Sequence, residues 1–340
     1  AVFVGSMVGR SNPLMLVFAL MAGPFIVNGW LTRTMLKRLD VTRRVPARVM
    51  AGEAASVEVT LTNRKRLLSS WLMSVVDRVA NPEEALTPRV LFARIPPGES
   101  RTGVYRLQLM RRGVYEVGSL QIRTRFPLGL VERGLLIDRH DQILVYPRLG
   151  RLSPDWQLRL QQASELARQK QPRGGSFEDE FHKLRDYRPG DELRAIHWKT
   201  SARQSDLVVR EFQQSRDQDL VVVLDPWRPR YPTAEDDLAV ERAVSLAASI
   251  AADQCQRGRD AFPYFTAGGR DPFEWGGAAG SHRLEALLDG LALLEPTSDV
   301  DLGRLLSQAL EHLTGRHRLL LVTSRPGDTG EVIGRWVWEQ

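Results

Sequence analysis

The pattern of apolar and polar positions changes three times along the 340-residue chain. An uncharged apolar run fills 13–31, short stretches of alternating character fill 41–147, and longer apolar runs with helical spacing follow from 220. These patterns predict a transmembrane helix, an all-β sandwich and a doubly wound α/β domain. The predicted division of this multidomain chain is an anchor over 1–39, a β-sandwich over 40–150, a connecting segment over 151–218 and an α/β domain over 219–340.

The apolar run is long enough to cross a membrane. Its roughly nineteen residues match a hydrocarbon core ~30 Å thick, although Gly23, Pro24 and Asn28 interrupt it. Two alternatives are the buried core helix of a soluble protein and a cleaved signal peptide, but basic residues follow the run instead of preceding it. The apolar residues 1–9 suggest a second helix further upstream, which would complete a hairpin anchor.

The basic residues after the run predict its orientation. They are Arg33, Lys37, Arg38, Arg43 and Arg44. Because Lys and Arg concentrate on the cytoplasmic side of membrane helices, the soluble domains are expected to face the cytoplasm from a cell membrane.

The middle of the chain has the spacing of a β-sandwich. Short strands are predicted where apolar residues alternate or cluster between turn residues, at 57–61, 71–79, 90–95, 105–109, 114–117, 120–122 and 143–146. In the stretch Phe126 to Gly129, the Pro and Gly are interpreted as shaping a turn that binds nothing.

The last third has the pattern of an α/β domain. The run 220–225 (LVVVLD) predicts a buried parallel strand, and three acids at 235–237 predict the start of a helix over 238–256. Further strands are predicted at 261–266 and 318–323, and further helices at 284–294, 302–313 and from 332. A short helix and a flexible loop are predicted over 152–175.

Charge distinguishes the two halves. Residues 33–151 contain 22 Lys and Arg against 11 Asp and Glu, whereas 152–340 contain 24 against 30. A basic middle suits anionic lipid headgroups, and the sequence carries no nucleic-acid-binding motif, so no nucleic-acid partner is expected. The single cysteine, Cys255, excludes an intramolecular disulfide and a cysteine zinc cluster.

The stretch Phe177 to Phe212 is charged but contains regularly interleaved apolar residues, which a solvated linker lacks. Its Pro189-Gly190-Asp191 segment predicts a turn, with Asp191 capping the next segment or accepting hydrogen bonds from Arg194. Tyr187, Ile196 and Trp198 are expected to be at least partly buried.

This stretch resembles the signature of bacterial proteins that carry the "domain of unknown function 58". The residues that carry the resemblance are Arg185, Tyr187, Pro189, Gly190, Asp191, Arg194, Ile196, Trp198, Ala202, Arg203 and Arg210. His197 within the stretch and Asp225 just after it are added to this set as candidate site residues. They are interpreted as structural or partner-binding. The resemblance implies protein partners and, because family members often accompany them, a MoxR-type AAA+ ATPase.

The resemblance also relates the last domain to the von Willebrand factor type A-like fold, which can hold a metal above its strand ends. Asp225 stands at the first ligand position, but Trp227 and Pro229 stand where that site needs two hydroxyl groups, and Ser324-Arg325 follows the later strand. A degenerate site is therefore predicted, with no metal and no cofactor.

The alternative function is a hydrolase that uses His182 and His197 with the nearby carboxylates of Glu178, Asp179, Glu180, Asp186 and Asp191. A carboxylate–histidine pair can perform acid–base chemistry. The same residues suit a structural ion-pair network, and no phosphate-binding loop or hydrolase motif is found. A membrane-anchored scaffold or adaptor is the favoured interpretation.

Overall fold

A computed structural model of the chain describes residues 12–153, 155–156, 158, 181–187, 196–204, 206–212, 220–256, 264–276, 281–311 and 318–327. Two compact units are present: the β unit, Ala1–Leu149 with Glu285–Glu295, and the α/β unit, Gly150–Leu284 with Pro296–Gln340. The predicted turn at 188–191 and the predicted helix from 332 lie outside the described residues, as does most of the predicted helix within 152–175. The four-part division of the chain stays a prediction.

The apolar run forms helix α1, Asn12–Leu36, which continues through Pro24. Within it, Met15–Leu36 is long and apolar enough to cross a membrane, and only 11% of its most apolar stretch is buried inside the molecule. The buried positions lie near its C-terminal end, where Asn28, Thr32 and Met35 share one face. The helix therefore touches the rest of the protein mainly through its last turns.

The β unit contains twelve short strands in three sheets. In chain order they are β1 Leu39–Arg44, β2 Arg48–Met50, β3 Ala54–Asn63, β4 Ser70–Val76, β5 Val79–Ala80, β6 Ala85–Leu86, β7 Arg89–Ile95, β8 Ser100–Gln108, β9 Gly113–Val117, β10 Leu120–Thr124, β11 Arg133–Ile137 and β12 Asp141–Tyr146. The sheet orders are β1-β3-β8, β11-β10-β4-β7 and β2-β12-β9-β5-β6. Alternate residues of these strands point into one apolar core, as a period of two requires.

The predicted single strand over 71–79 is wrong, because the chain changes sheets within it. Strand β4 ends at Val76 and β5 begins at Val79 in a different sheet. Between them, the buried Asp77 accepts hydrogen bonds from Arg43 and from the hydroxyl of Tyr105. Burial and this hydrogen bond raise the pKa of Tyr105, so its hydroxyl remains a donor at neutral pH.

Arg43 belongs to the core of the β unit, which corrects its assignment to the exposed basic cluster. Its side chain is fully buried and pairs with Asp77 at 2.7 Å and with Asp141 at 2.7 Å. It also donates to the carbonyls of Val117 and Gly118. The guanidinium therefore joins strand β1 to the ends of strands from the other two sheets.

The described strands of the α/β unit form two separate sheets. Strands β13 Phe181–Asp186 and β14 Val208–Phe212 form an antiparallel pair, with helix α2 Trp198–Gln204 between them in the chain. The remaining elements are β15 Leu220–Asp225, α3 Ala234–Gln256, β16 Tyr264–Ala267, β17 Phe273–Gly276, α4 Ser281–Leu293, α5 Leu302–Glu311 and β18 Arg318–Thr323. Helix α4 begins in the α/β unit, and its residues from Glu285 onward belong to the β unit. The four strands β15 to β18 make one sheet of order β17-β16-β15-β18.

Three strands of this sheet are parallel, as the apolar runs predict, and the predicted strand 318–323 is found at its predicted bounds. Strand β15 is buried at every position. The antiparallel edge strand β17 was not predicted, because its four residues alternate between half-buried and exposed positions without an apolar run. The likeness to a von Willebrand factor type A-like fold stays a prediction.

Candidate functional site

The strand order reverses at β15, and the region at the carboxyl ends of β15, β16 and β18 is named the crevice from here on. From the central strand β15 the chain continues through α3 to β16 on one side, while β18 pairs on the other side. Ligand sites in open α/β sheets lie at such a reversal, outside the carboxyl ends of the strands. Asp225 ends β15 and Thr323 ends β18, and the two are directly paired in register.

Within the crevice, the carboxylate of Asp225 is fully buried and is held by two donors. Its Oδ2 atom accepts hydrogen bonds from Thr323 Oγ1 at 2.9 Å and from Arg325 Nε at 2.7 Å. The guanidinium of Arg325 also donates to the carbonyl oxygen of Val300 at 2.8 Å. A protein cation therefore neutralises the carboxylate that a metal would need as a ligand.

Trp227 and Ser324 complete the crevice. The Arg325 guanidinium carbon lies 5.5 Å from the centre of the Trp227 ring, within the range of a cation–π interaction. The Trp227 indole donates to the carbonyl of Ser298, and Ser324 Oγ donates to the carbonyl of Trp227 at 2.6 Å. Trp227 therefore has a packing role beside the arginine, and its indole cannot ligate a metal.

The part of the chain that the structure describes contains no group of three or more His, Cys, Asp or Glu residues able to hold a metal. One oxygen of Asp225, Oδ1, is buried without a hydrogen-bond partner among the described residues. Metal binding at Asp225 is thus a question for titration, and its predicted absence stays a prediction.

The structure describes only some of the signature residues. Arg185 and Arg210 lie on the paired strands β13 and β14, and Tyr187 follows β13, where its backbone N–H donates to the carbonyl of Leu207. Pro189, Gly190, Asp191 and Arg194 lie outside the described residues. The predicted contact between Asp191 and Arg194 stays a prediction.

Trp198 is 65% exposed, so the prediction that it is at least partly packed is wrong. It is the first residue of α2, and the buried position is taken by Ile196, which bridges to Val209 of β14 and is 5% exposed. Arg203, near the end of the same helix, is also exposed. Helix α2 therefore presents a tryptophan and an arginine to the surroundings.

His197 caps helix α2. Its Nδ1 atom lies 2.7 Å from Thr200 Oγ1 and accepts a hydrogen bond from the Thr200 backbone N–H. This arrangement satisfies the helix N-terminus as a capping side chain does. The described contacts give His197 a structural role, while Glu178 and Asp191 of the hydrolase hypothesis lie outside the described residues.

Two contacts of helix α1 were missed in the sequence. Asn28 Oδ1 accepts the backbone N–H of Leu128 at 2.9 Å, and Thr32 Oγ1 donates to the carbonyl of Phe126 at 2.9 Å. Asn28 interrupts the apolar run in the sequence, and in the structure it attaches the 126–130 turn to the helix together with Thr32. A buried polar residue near the end of an apolar run is the signal that points to such an attachment.

The α/β unit thus has an ion pair at its strand ends, and the β unit includes an apolar helix of membrane-spanning length. Comparison with known proteins finds a family model that matches part of the chain. The model of the family described as "Protein of unknown function DUF58" matches residues 183–324. This range includes the described signature residues and the crevice up to Ser324. The uncharacterized protein YeaD of Bacillus subtilis (strain 168) is 30% identical over 241 residues, covering 67% of this chain and 56% of that protein.

These two matches support a DUF58 protein, and the chain spans about half the length of the curated relative it matches. The solved structures that resemble this chain do so only weakly. The CARDB domain of PF1109 from Pyrococcus furiosus is 12% identical, with 32% of this chain and 94% of that chain covered at a TM-score of 0.22. Superoxide reductase from Ignicoccus hospitalis is 15% identical, with 33% and 85% covered at 0.23. Likenesses of this size carry no argument about function.

Proposed function

We propose that this protein is a membrane-anchored adaptor whose β and α/β units lie in the cytoplasm and bind protein partners. The observation that carries the proposal is helix α1, whose membrane-length apolar segment is only 11% buried inside the molecule. The core helix of a soluble protein would be mostly buried, because exposing that much apolar surface to water is unfavourable. A bilayer is the environment that removes this cost.

The charges after the helix support a cytoplasmic orientation. Arg33, Lys37, Arg38 and Arg44 are exposed, whereas the sequence before the apolar run contains Arg10 as its only basic residue. Arg43 is excluded from the comparison because it is buried in the β unit. The excess of exposed basic residues still lies on the C-terminal side, as the positive-inside rule requires for cytoplasmic domains.

The adaptor role is supported by two features of the α/β unit: an ion pair at its strand ends and exposed side chains on its signature helix. The Arg325–Asp225 pair occupies the crevice at the strand ends, which favours a metal-independent role. Trp198 and Arg203 are both exposed on the signature helix, and Trp and Arg are enriched at the energetic centres of protein interfaces. The partner we propose, on the family resemblance alone, is a MoxR-type AAA+ ATPase.

Extraction of membranes with alkaline carbonate tests the anchor. The wild-type chain should remain in the membrane pellet. A Leu20→Arg, Met21→Arg double variant should move to the soluble fraction, because each arginine near the centre of a span costs about 2.5–3.5 kcal/mol on insertion scales. Release of the wild-type chain by carbonate would refute integral anchoring.

Affinity capture from detergent-solubilised membranes tests the partner. The wild-type chain should retain an AAA+ ATPase, and Trp198→Ala should lose it. Tyr231→Ala is the matched control, since Tyr231 is an exposed aromatic residue of the same unit at 86% exposure. Capture of no ATPase would reject the partner, and equal capture by Trp198→Ala would reject the proposed binding surface.

A further inference from the structure

Four exposed apolar side chains lie around the point where helix α1 meets the β unit. Trp71, Leu72, Leu128 and Leu130 are 37%, 48%, 56% and 55% exposed, and we call them the collar. They come from two separate segments, the start of β4 and the turn after β10. Stacking of Trp71 on Phe126, with ring centres 6.0 Å apart, joins the two segments.

The collar is fixed at a defined height on the helix. Leu128 donates its backbone N–H to Asn28, five residues before Arg33, the first charged residue after the apolar run. Five residues of α-helix rise about 7.5 Å. The headgroup region of one leaflet is roughly 5–7 Å thick, so a helix with Arg33 at the aqueous edge places Asn28 at the hydrocarbon boundary.

The local backbone displays these side chains outward. Gly129 has a φ of +76°, and its N–H donates to the carbonyl of Arg125, so a tight turn carries Leu128 and Leu130 on either side of the glycine. Leu72 has a φ of +47°, which is unfavourable for a leucine. Burial of that side chain in the core cannot explain the strain, since Leu72 is about half exposed.

Basic and aromatic residues are exposed on the segments that carry the collar, on the neighbouring strand β7 and on the last turns of helix α1. Arg33, Arg94 and Arg125 are exposed, and Arg94 lies 5.0 Å above the Trp71 ring. Trp30, which is 64% exposed, lies on the helix within one turn of Asn28. Tryptophan and arginine at the edge of an apolar surface are typical of a membrane–water interface, where arginine can also pair with anionic headgroups.

We infer that the collar is a second membrane contact, inserted in the interfacial region of the cytoplasmic leaflet beside helix α1. This inference rests on the proposed membrane anchor, whose end the collar adjoins. The collar orients the β unit on the bilayer surface, because a single helix would leave the unit free to swing. The lipids that fit it are anionic, with acyl chains at the leucines and headgroups at Arg94 and Arg125.

An environment-sensitive fluorophore tests the collar in the full chain. NBD would be attached to single cysteines introduced by Leu72→Cys, Leu128→Cys or Met21→Cys in a Cys255→Ala background, reconstituted into phosphatidylcholine–phosphatidylglycerol vesicles. Leu91→Cys is the matched control, an exposed leucine of β7 in the same sheet. The collar labels should show blue-shifted emission and quenching by nitroxide lipids labelled near the headgroup, and the Leu91 label should show neither.

The Met21 label separates the collar from the anchor. Deep quenching at Met21 with water-like emission at Leu72 and Leu128 would overturn the collar and leave the anchor intact. Absence of deep quenching at Met21 would overturn the anchor itself. A blue shift at Leu72 and Leu128 without lipid quenching would show that protein covers the collar, either another helix or a second copy, and would also overturn the inference.

Discussion

At the scale of single residues, Asp225 and Arg325 decide what the α/β unit can do. The sequence shows that positions 227 and 229 lack the two hydroxyl groups of a metal site, and that a basic residue follows the last strand. The geometry of their pairing was not, because the contact joins residues 100 positions apart at the ends of adjacent strands. For the same reason, the sequence places Arg43 among the membrane-flanking charges, although its partners in the structure, Asp77 and Asp141, lie 34 and 98 residues away.

Removing Arg325 should destabilise the α/β unit. Arg325→Met leaves the fully buried Asp225 carboxylate without its cation, and breaking a buried pair in this way costs about 3–5 kcal/mol. Arg228→Met is the control, because Arg228 forms a surface pair with Asp237 whose side chains are 38% and 40% exposed, and such pairs contribute only about 0–1 kcal/mol. Denaturant unfolding of detergent-solubilised protein measures both; equal stability of the two variants would contradict the structural role of the pair.

Metal titration examines the same crevice. Because Arg325 already neutralises Asp225, calorimetry with Mg²⁺ or Mn²⁺ should show no heat that depends on Asp225. The Asp225→Asn variant is the reference for that dependence. A micromolar binding heat present in the wild type and missing from this variant would establish a metal site at these strand ends.

At the scale of elements, regular periodicity is sufficient to predict most strands and helices. It does not predict which side chain faces the core where the pattern is irregular. The run 220–225 and the alternation at 57–61 both predicted the observed strands. Trp198 was misjudged because hydrophobicity alone cannot say which of two nearby apolar residues faces the core. In the structure Ile196 pairs with Val209, and the helix that follows turns the tryptophan outward.

Substitutions at these two positions should therefore behave differently. Ile196→Ala removes a buried aliphatic side chain and should lower the free energy of unfolding by about 2–5 kcal/mol. Trp198→Ala removes an exposed one and should stay within about 0.5 kcal/mol of the parent. Thermal unfolding of both variants is the measurement, and a larger loss of stability from Trp198→Ala would restore the original view that Trp198 is a packed residue.

At the scale of the whole molecule, the proposed anchoring and orientation depend on one helix and the charges beside it. The length and apolar character of the span were predicted from sequence, whereas its attachment through Asn28 and Thr32 required the structure. The basic middle of the chain is only partly a surface property. Arg43 shows that a charge counted in sequence can be an internal pair, and the exposed Arg33, Lys37, Arg38 and Arg44 carry the orientation argument without it.

Protease protection in spheroplasts shows on which side of the membrane the folded units lie. Trypsin added to intact spheroplasts that express the full chain should leave everything beyond Arg33 undigested, and permeabilisation should then expose sites such as Arg66, which is on the surface of the β unit. Protection followed by digestion is the result that a cytoplasmic adaptor predicts. Digestion of the folded units in intact spheroplasts would place them outside the cell and contradict the proposed orientation.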